Sequence, residues 1–266
     1  MESDFLHLVE SFSVSVEMNF EIVGKHLNVL CLKCMRSQKG TTMKIKENIL
    51  KTELVDYSYK QEKMNFITHM IGVPLGALIF IASIVMLAIE KVNFAIFIGL
   101  LIFSFSSILL YFVSTSYHLP KDDANKKRIK RIVDHCTIYA LIAGTYTPIC
   151  IWLYQFSYFG LYLLIAQWVL AIVGIALNAY NLNSKIVKTI SMILYIAMGW
   201  MVLYTTAFTL LPTISFALIL SGGIVYTIGS VLYGIGHSNK WFHPIFHIFV
   251  LIGTILQAIG VFFLFF

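Results

Sequence analysis

Seven apolar runs, each about long enough to cross a bilayer, decide what this chain can fold into. They cover residues 64–89, 94–118, 133–154, 158–180, 189–210, 213–235 and 242–264. A hydrocarbon core about 30 Å thick is crossed by about 20 helical residues. Inside it every backbone N–H and C=O must find a partner within the protein, which leaves helices or a closed barrel. The runs are continuously apolar and lack the period-two alternation of barrel strands, so the barrel is excluded. With 59% of residues apolar and 12% charged, little chain remains for a separate soluble domain. The expectation is an all-α membrane protein: a seven-transmembrane helix bundle over residues 64–266, preceded by a tail, 1–63.

The net charge of +6 is distributed unevenly. Residues 1–63 carry nine basic and nine acidic side chains, and the remaining 203 carry ten and four. Lys121, Lys126, Lys127, Arg128, Lys130 and Arg131 lie between spans two and three, Lys185 and Lys188 between four and five, and Lys240 between six and seven. Lys91 alone falls in an odd-numbered loop. Short basic loops stay cytoplasmic, so the expected N-terminus is inside and the C-terminus outside. The charge reads as a topology signal, and nucleic acid is not an expected partner. Trp152, Tyr154, Tyr158 and Phe159 gather at the third loop, where an outer aromatic belt belongs.

The tail shows no signal peptide. Phe12, Val14, Val16, Met18, Phe20 and Ile22 alternate as in a strand, yet no other strand follows, so residues 1–42 are expected to be poorly ordered. "MKIKENILK" reads as a natural opening, which makes Met43 a candidate start. Beyond it, Ile45, Ile49, Leu50 and Leu54 suit one face of an interfacial helix over 43–63. Cys31 and Cys34 have metal-like spacing without a second pair, whereas Cys136 and Cys150 read as small apolar fillers.

Ionisable groups are costly inside a membrane, at about +2.5 to +3.5 kcal/mol for an Asp at a span centre. His69, His118, Asp134, His135, His243 and His247 nevertheless fall near one end of spans one, two, three and seven. His243 and His247 share a helix face at i and i+4, and Pro244 suits a first helical turn. With His118 they supply three nitrogens, leaving the fourth position of a tetrahedral zinc site for water, as catalytic sites do. Two plainer readings stand beside this one. Each imidazole taken alone suits the headgroup layer, and Asp134 suits the N-cap of span three. Ser114, one turn before His118, would ordinarily bond its own i−4 carbonyl.

Four motifs lift the ambiguity. "EKMNFITH" (Glu62, Asn65, Thr68, His69), "STSYH" (Ser114, His118), "DHCTIYALIAGTYTP" (134–148) and "HPIFH" (His243, His247) occur in order on the expected spans. They resemble those of the hemolysin III proteins, the bacterial branch of the progestin and adipoQ receptor family, from about residue 60 to the end. The resemblance implies seven helices, a cytoplasmic N-terminus and residence in the inner (plasma) membrane. It also implies Zn2+ held near the cytoplasmic side by His118, His243 and His247, with Asp134 facing the water that shares the ion.

Three activities follow from the resemblance. One is a zinc-dependent hydrolase of a lipid amide or ester, with Asp134 as proton carrier and Ser114 as donor to the oxyanion. The second is a membrane-perturbing or channel-forming hemolysin. The third is a sensor of lipid state with structural zinc. His135 is expected to pack or to stand behind the ligands, since it diverges from Asp134 by about 100° on the helix, and His69 is expected behind them as a hydrogen-bond donor to a ligand.

Overall fold

In the computed structural model, residues 39–119, 123–204, 209–236 and 239–266 are described. The strand-like alternation over 12–22 and the Cys31 and Cys34 pair lie outside them. Every regular element among the described residues is helical. Contacts divide the chain after Glu47, and the bundle belongs to the unit Asn48–Phe266.

Helix α1 (Lys39–Leu50) is followed by α2 (Tyr59–Met70), α3 (Gly72–Ala88), α4 (Phe94–Tyr117), α5 (Ala124–Tyr154) and α6 (Phe159–Asn181). Then come α7 (Lys185–Gly199), a short 3-10 turn (Met201–Tyr204), α8 (Thr213–Ile235) and α9 (Phe242–Phe262). Ser58 starts α2 with a capping box, accepting from the Gln61 N–H while the Gln61 side chain accepts from its own. α2 and α3 run through Ile71 as one membrane-crossing unit, Tyr59–Ala88.

Among the described residues, six helices are long and apolar enough to span. The fifth expected span, 189–210, begins with the 15-residue α7 and ends in residues that are not all described. α8 packs on α9, and α4, α5 and α6 pack in succession. Gly222 and Gly229 allow the α8–α9 approach: a Cβ there would stand 2.5 Å from Gln257 Cγ and 2.7 Å from Phe249 Cβ.

Three local expectations change. α5 starts at Ala124, because the helix continues through the basic segment that hydropathy assigns to a loop. Its cap is Asp123, whose carboxylate accepts from the Asn125 and Lys126 N–H groups, so Asp134 lies well inside the helix and caps nothing. α1 stops at Leu50, which leaves Leu54 outside any helix. Polar contacts hold residues 51–58 in a non-helical segment instead. Asn183 accepts from the Glu53 N–H (3.1 Å) and donates to the Lys51 carbonyl (2.8 Å). Arg128 donates to the Thr52 carbonyl at 3.1 Å, Arg131 to Glu53 and Lys240 to Asp56. The first turns of α5, Asn183 before α7 and Lys240 before α9 therefore strap 51–58 across one end of the bundle.

Candidate metal centre

The strap ends on the site. Tyr57 stacks on His243 with ring centroids 5.3 Å apart and lies edge-on to His118 at 5.9 Å. Burial lifts its phenol above the usual range, so the ring stays protonated and uncharged.

His118 ends α4 as its C-cap residue, fully buried. His243 and His247 come from the first turns of α9, with His247 1% exposed. Pro244 occupies the third helical position, where a missing N–H costs no intrahelical bond. Each of the three histidines offers a nitrogen within 4.8 Å of the other two. The Nε2 atoms of His118 and His243 are 3.2 Å apart. Two nitrogens bound to one tetrahedral zinc at 2.0–2.1 Å would stand about 3.3 Å apart, so this spacing and a set of three imidazoles fit a zinc ion. The expected trio is thus brought together.

The other expected residues take different places. Asp134 and Ser114 stand outside the trio but line the same cavity as His243 and His247. Asp134 Oδ2 is 3.6 Å from His135 Nδ1. The Ser114 hydroxyl is buried and has no hydrogen-bond partner among the described residues, contrary to the i−4 bond usual for a membrane serine. Thr115, its neighbour, does make that bond, to Tyr111 at 2.6 Å. His135 Nδ1 lies 2.9 Å from the Arg131 carbonyl, which ties it to its own helix. Among the described residues His69 finds no hydrogen bond through either nitrogen, and it packs by its ring against His247.

Two features were not assigned from sequence. Glu62 Oε2 is 2.6 Å from His118 Nδ1, and its other oxygen pairs with Lys127. Thr68 Oγ1 and the Asn65 carbonyl lie 3.3 and 3.4 Å from His247 Nδ1. The signal was present in the motif, since Glu62, Asn65 and Thr68 repeat every three residues along α2. What sequence could not supply was which helix that face meets.

From the histidines the cavity follows α5 from Asp134 past Leu141 and Ile142 to Tyr146, about 18 Å at 1.5 Å per residue. Across from them stand Val250 of α9 and Trp200 after α7. Its wall is mostly apolar beyond the first turn.

The family described as Haemolysin-III related matches residues 57–258. The Hemolysin-3 homolog of Bacillus subtilis (strain 168) is 34% identical over 203 residues, covering 74% of this chain and 91% of that protein. Hemolysin-3 of Bacillus cereus is 32% identical over 212 residues, covering 77% and 91%.

Proposed function

The chain belongs to the haemolysin-III-related family of multi-pass plasma-membrane proteins, and we propose that it is a zinc-dependent hydrolase of a lipid amide or ester. The observation that carries this reading is a convergence. His243 and His247 line one end of a largely apolar cavity together with the Asp134 carboxylate and the Ser114 hydroxyl, and His118 joins them through its Nε2, 3.2 Å from that of His243. The basic loops place that end at the cytoplasmic face.

His118, His243 and His247 hold the ion. When bound, zinc supplies a Lewis acid that polarises a carbonyl and acidifies water toward a pKa of about 7. The acyl chain of the substrate lies in the cavity along α5, which brings its carbonyl to Ser114 and Asp134. Asp134 accepts a proton from the attacking water as the new C–O bond forms. It returns that proton to the leaving nitrogen or oxygen as the old bond breaks, giving a fatty acid and an amine or alcohol. Ser114 donates to the carbonyl oxygen as negative charge develops there. No helix carbonyl competes for its hydroxyl, so nothing must be broken first.

The test is elemental analysis of the detergent-purified protein, followed by fatty-acid release from N-acyl lipid amides and the matching esters. About one zinc per chain, with cleavage abolished in Asp134→Ala, supports the reading. Zinc without cleavage of either class overturns the enzyme in favour of a structural ion. Discrete ion currents from the purified protein in planar bilayers, without hydrolysis, overturn it in favour of a pore.

A further inference from the structure

We propose that Glu62 is the positioning residue that fixes His118 as an Nε2 metal ligand, and that it does so through its charge rather than by joining helices. This rests on the metal reading above.

His118 needs such a partner. It stands at the end of α4, and its backbone has already left helical geometry (φ −87°, ψ 13°). An imidazole there has two tautomers and a free ring rotation, and only one combination turns a lone pair on Nε2 toward His243 and His247. The 2.6 Å contact between Nδ1 and Glu62 Oε2 selects it. An ionised carboxylate accepts and does not donate, so Nδ1 carries the hydrogen and Nε2 keeps its lone pair. That Nε2 is the atom facing His243 Nε2 at 3.2 Å. The contact has the short length of a charge-assisted bond. It is also shielded, with Glu62 6% exposed and His118 fully buried.

The three ligands are held unequally. His247 Nδ1 faces the Asn65 carbonyl and the Thr68 hydroxyl, both neutral and both beyond 3.2 Å. Thr68 gives its own hydrogen to the Met64 and Asn65 carbonyls, so toward His247 it can only accept. His243 Nδ1 has no hydrogen-bond partner among the described residues. Within the trio, His118 alone is held by a carboxylate. One face of α2 thereby orients two ligands from two other helices, and Glu62 exerts the strongest hold. Metal-bound histidines commonly give their second N–H to such a group, and its removal costs 10–100-fold in affinity.

The rival account is that Glu62 serves the fold, as the α2 end of an ion pair with Lys127 of α5. The two accounts separate on metal affinity. Zinc dissociation constants would be measured by chelator competition on full-length protein in detergent, with thermal unfolding of the metal-free forms alongside. Glu62→Gln should weaken zinc 10–100-fold while the metal-free melting temperature stays near wild type. Lys127→Met, which breaks the ion pair but spares the His118 contact, should bind zinc within about threefold of wild type. Should Glu62→Gln fail to fold, Glu62→Asp keeps the charge on a shorter arm and should still bind zinc about tenfold more weakly. Wild-type affinity in the folded Glu62 variant overturns the inference, as does an equal loss in Lys127→Met. A wild-type protein that binds no zinc defeats the metal reading itself, whereas tight zinc in both wild type and Glu62→Gln defeats this inference alone.

Discussion

The imidazole of His69 lies flat against that of His247, with ring centroids 3.6 Å apart and planes 24° from parallel. Tyr111 meets the other side of His69 edge-on at 5.4 Å. His69 thus backs a candidate metal ligand with a ring face instead of a hydrogen bond, since neither of its nitrogens has a hydrogen-bond partner among the described residues. A phenyl ring would do the same work. His69→Phe should keep full zinc stoichiometry and melt at or above the wild-type temperature. His69→Ala should lose about 3 kcal/mol, the order for emptying a buried ring site. Zinc analysis and thermal unfolding check both; loss of zinc in His69→Phe would show that a nitrogen of His69 is needed.

The metal should clamp α4 to α9, because His118 ends one and His243 and His247 begin the other. Binding energy at such a site is folding energy. Chelation should therefore lower the melting temperature of wild type by several degrees. His247→Ala should contain no stoichiometric zinc and should not respond to chelator. Asp134→Ala should retain one zinc and the chelator response, while hydrolysis falls about 10²–10⁴-fold, the usual worth of a proton-transferring group. Zinc loss in Asp134→Ala would make Asp134 a ligand.

These residues differ in how far sequence reveals them. Six of the seven spans were legible because lipid demands long apolar helices, and the meeting of His118, His243 and His247 was legible from their shared depth in the spans together with the motifs that carry them. Glu62 was hidden by its position near a span end, where a carboxylate is ordinarily solvated; its 2.6 Å contact crosses 56 residues of chain. The start of α5 was hidden for a different reason. Hydropathy marks where lipid begins, whereas the Asp123 cap marks where the helix begins. Ser114 was found by its neighbour His118, but its lack of a bond required coordinates.

That missing bond gives Ser114 an unusual expected profile. Replacing a bonded serine leaves a partner unsatisfied, but Ser114→Ala removes an orphaned buried hydroxyl, which itself costs about 1–3 kcal/mol. The variant should be as stable as wild type or more so, and should bind zinc normally. Its turnover should fall about 10²–10³-fold if the hydroxyl donates to the developing oxyanion. Thermal unfolding with kcat and KM on one lipid amide separates the outcomes. A drop in stability would place a structural partner on the hydroxyl, and unchanged kcat would remove it from the chemistry.

Gly160 carries a packing constraint that resembles nothing in its sequence context, "YFGLY". A Cβ there would stand 2.4 Å from both the Cys150 carbonyl oxygen and the Tyr154 backbone nitrogen, so α6 touches the last turns of α5 backbone to backbone. A backbone obstacle cannot change rotamer. Gly160→Ala should therefore force the two helices apart and cost about 1–3 kcal/mol or more, as overpacking does. Gly234, where an added Cβ would meet no atom of the described residues within 4 Å, is the control. Gly234→Ala should match or exceed wild-type stability, because alanine is the better helix former by about 1 kcal/mol. Because α5 also carries Asp134, the strain in Gly160→Ala has a path to the site: hydrolysis should fall while zinc, held by α4 and α9, stays bound. Equal melting temperatures for the two variants would mean that α5 and α6 are less closely apposed than this.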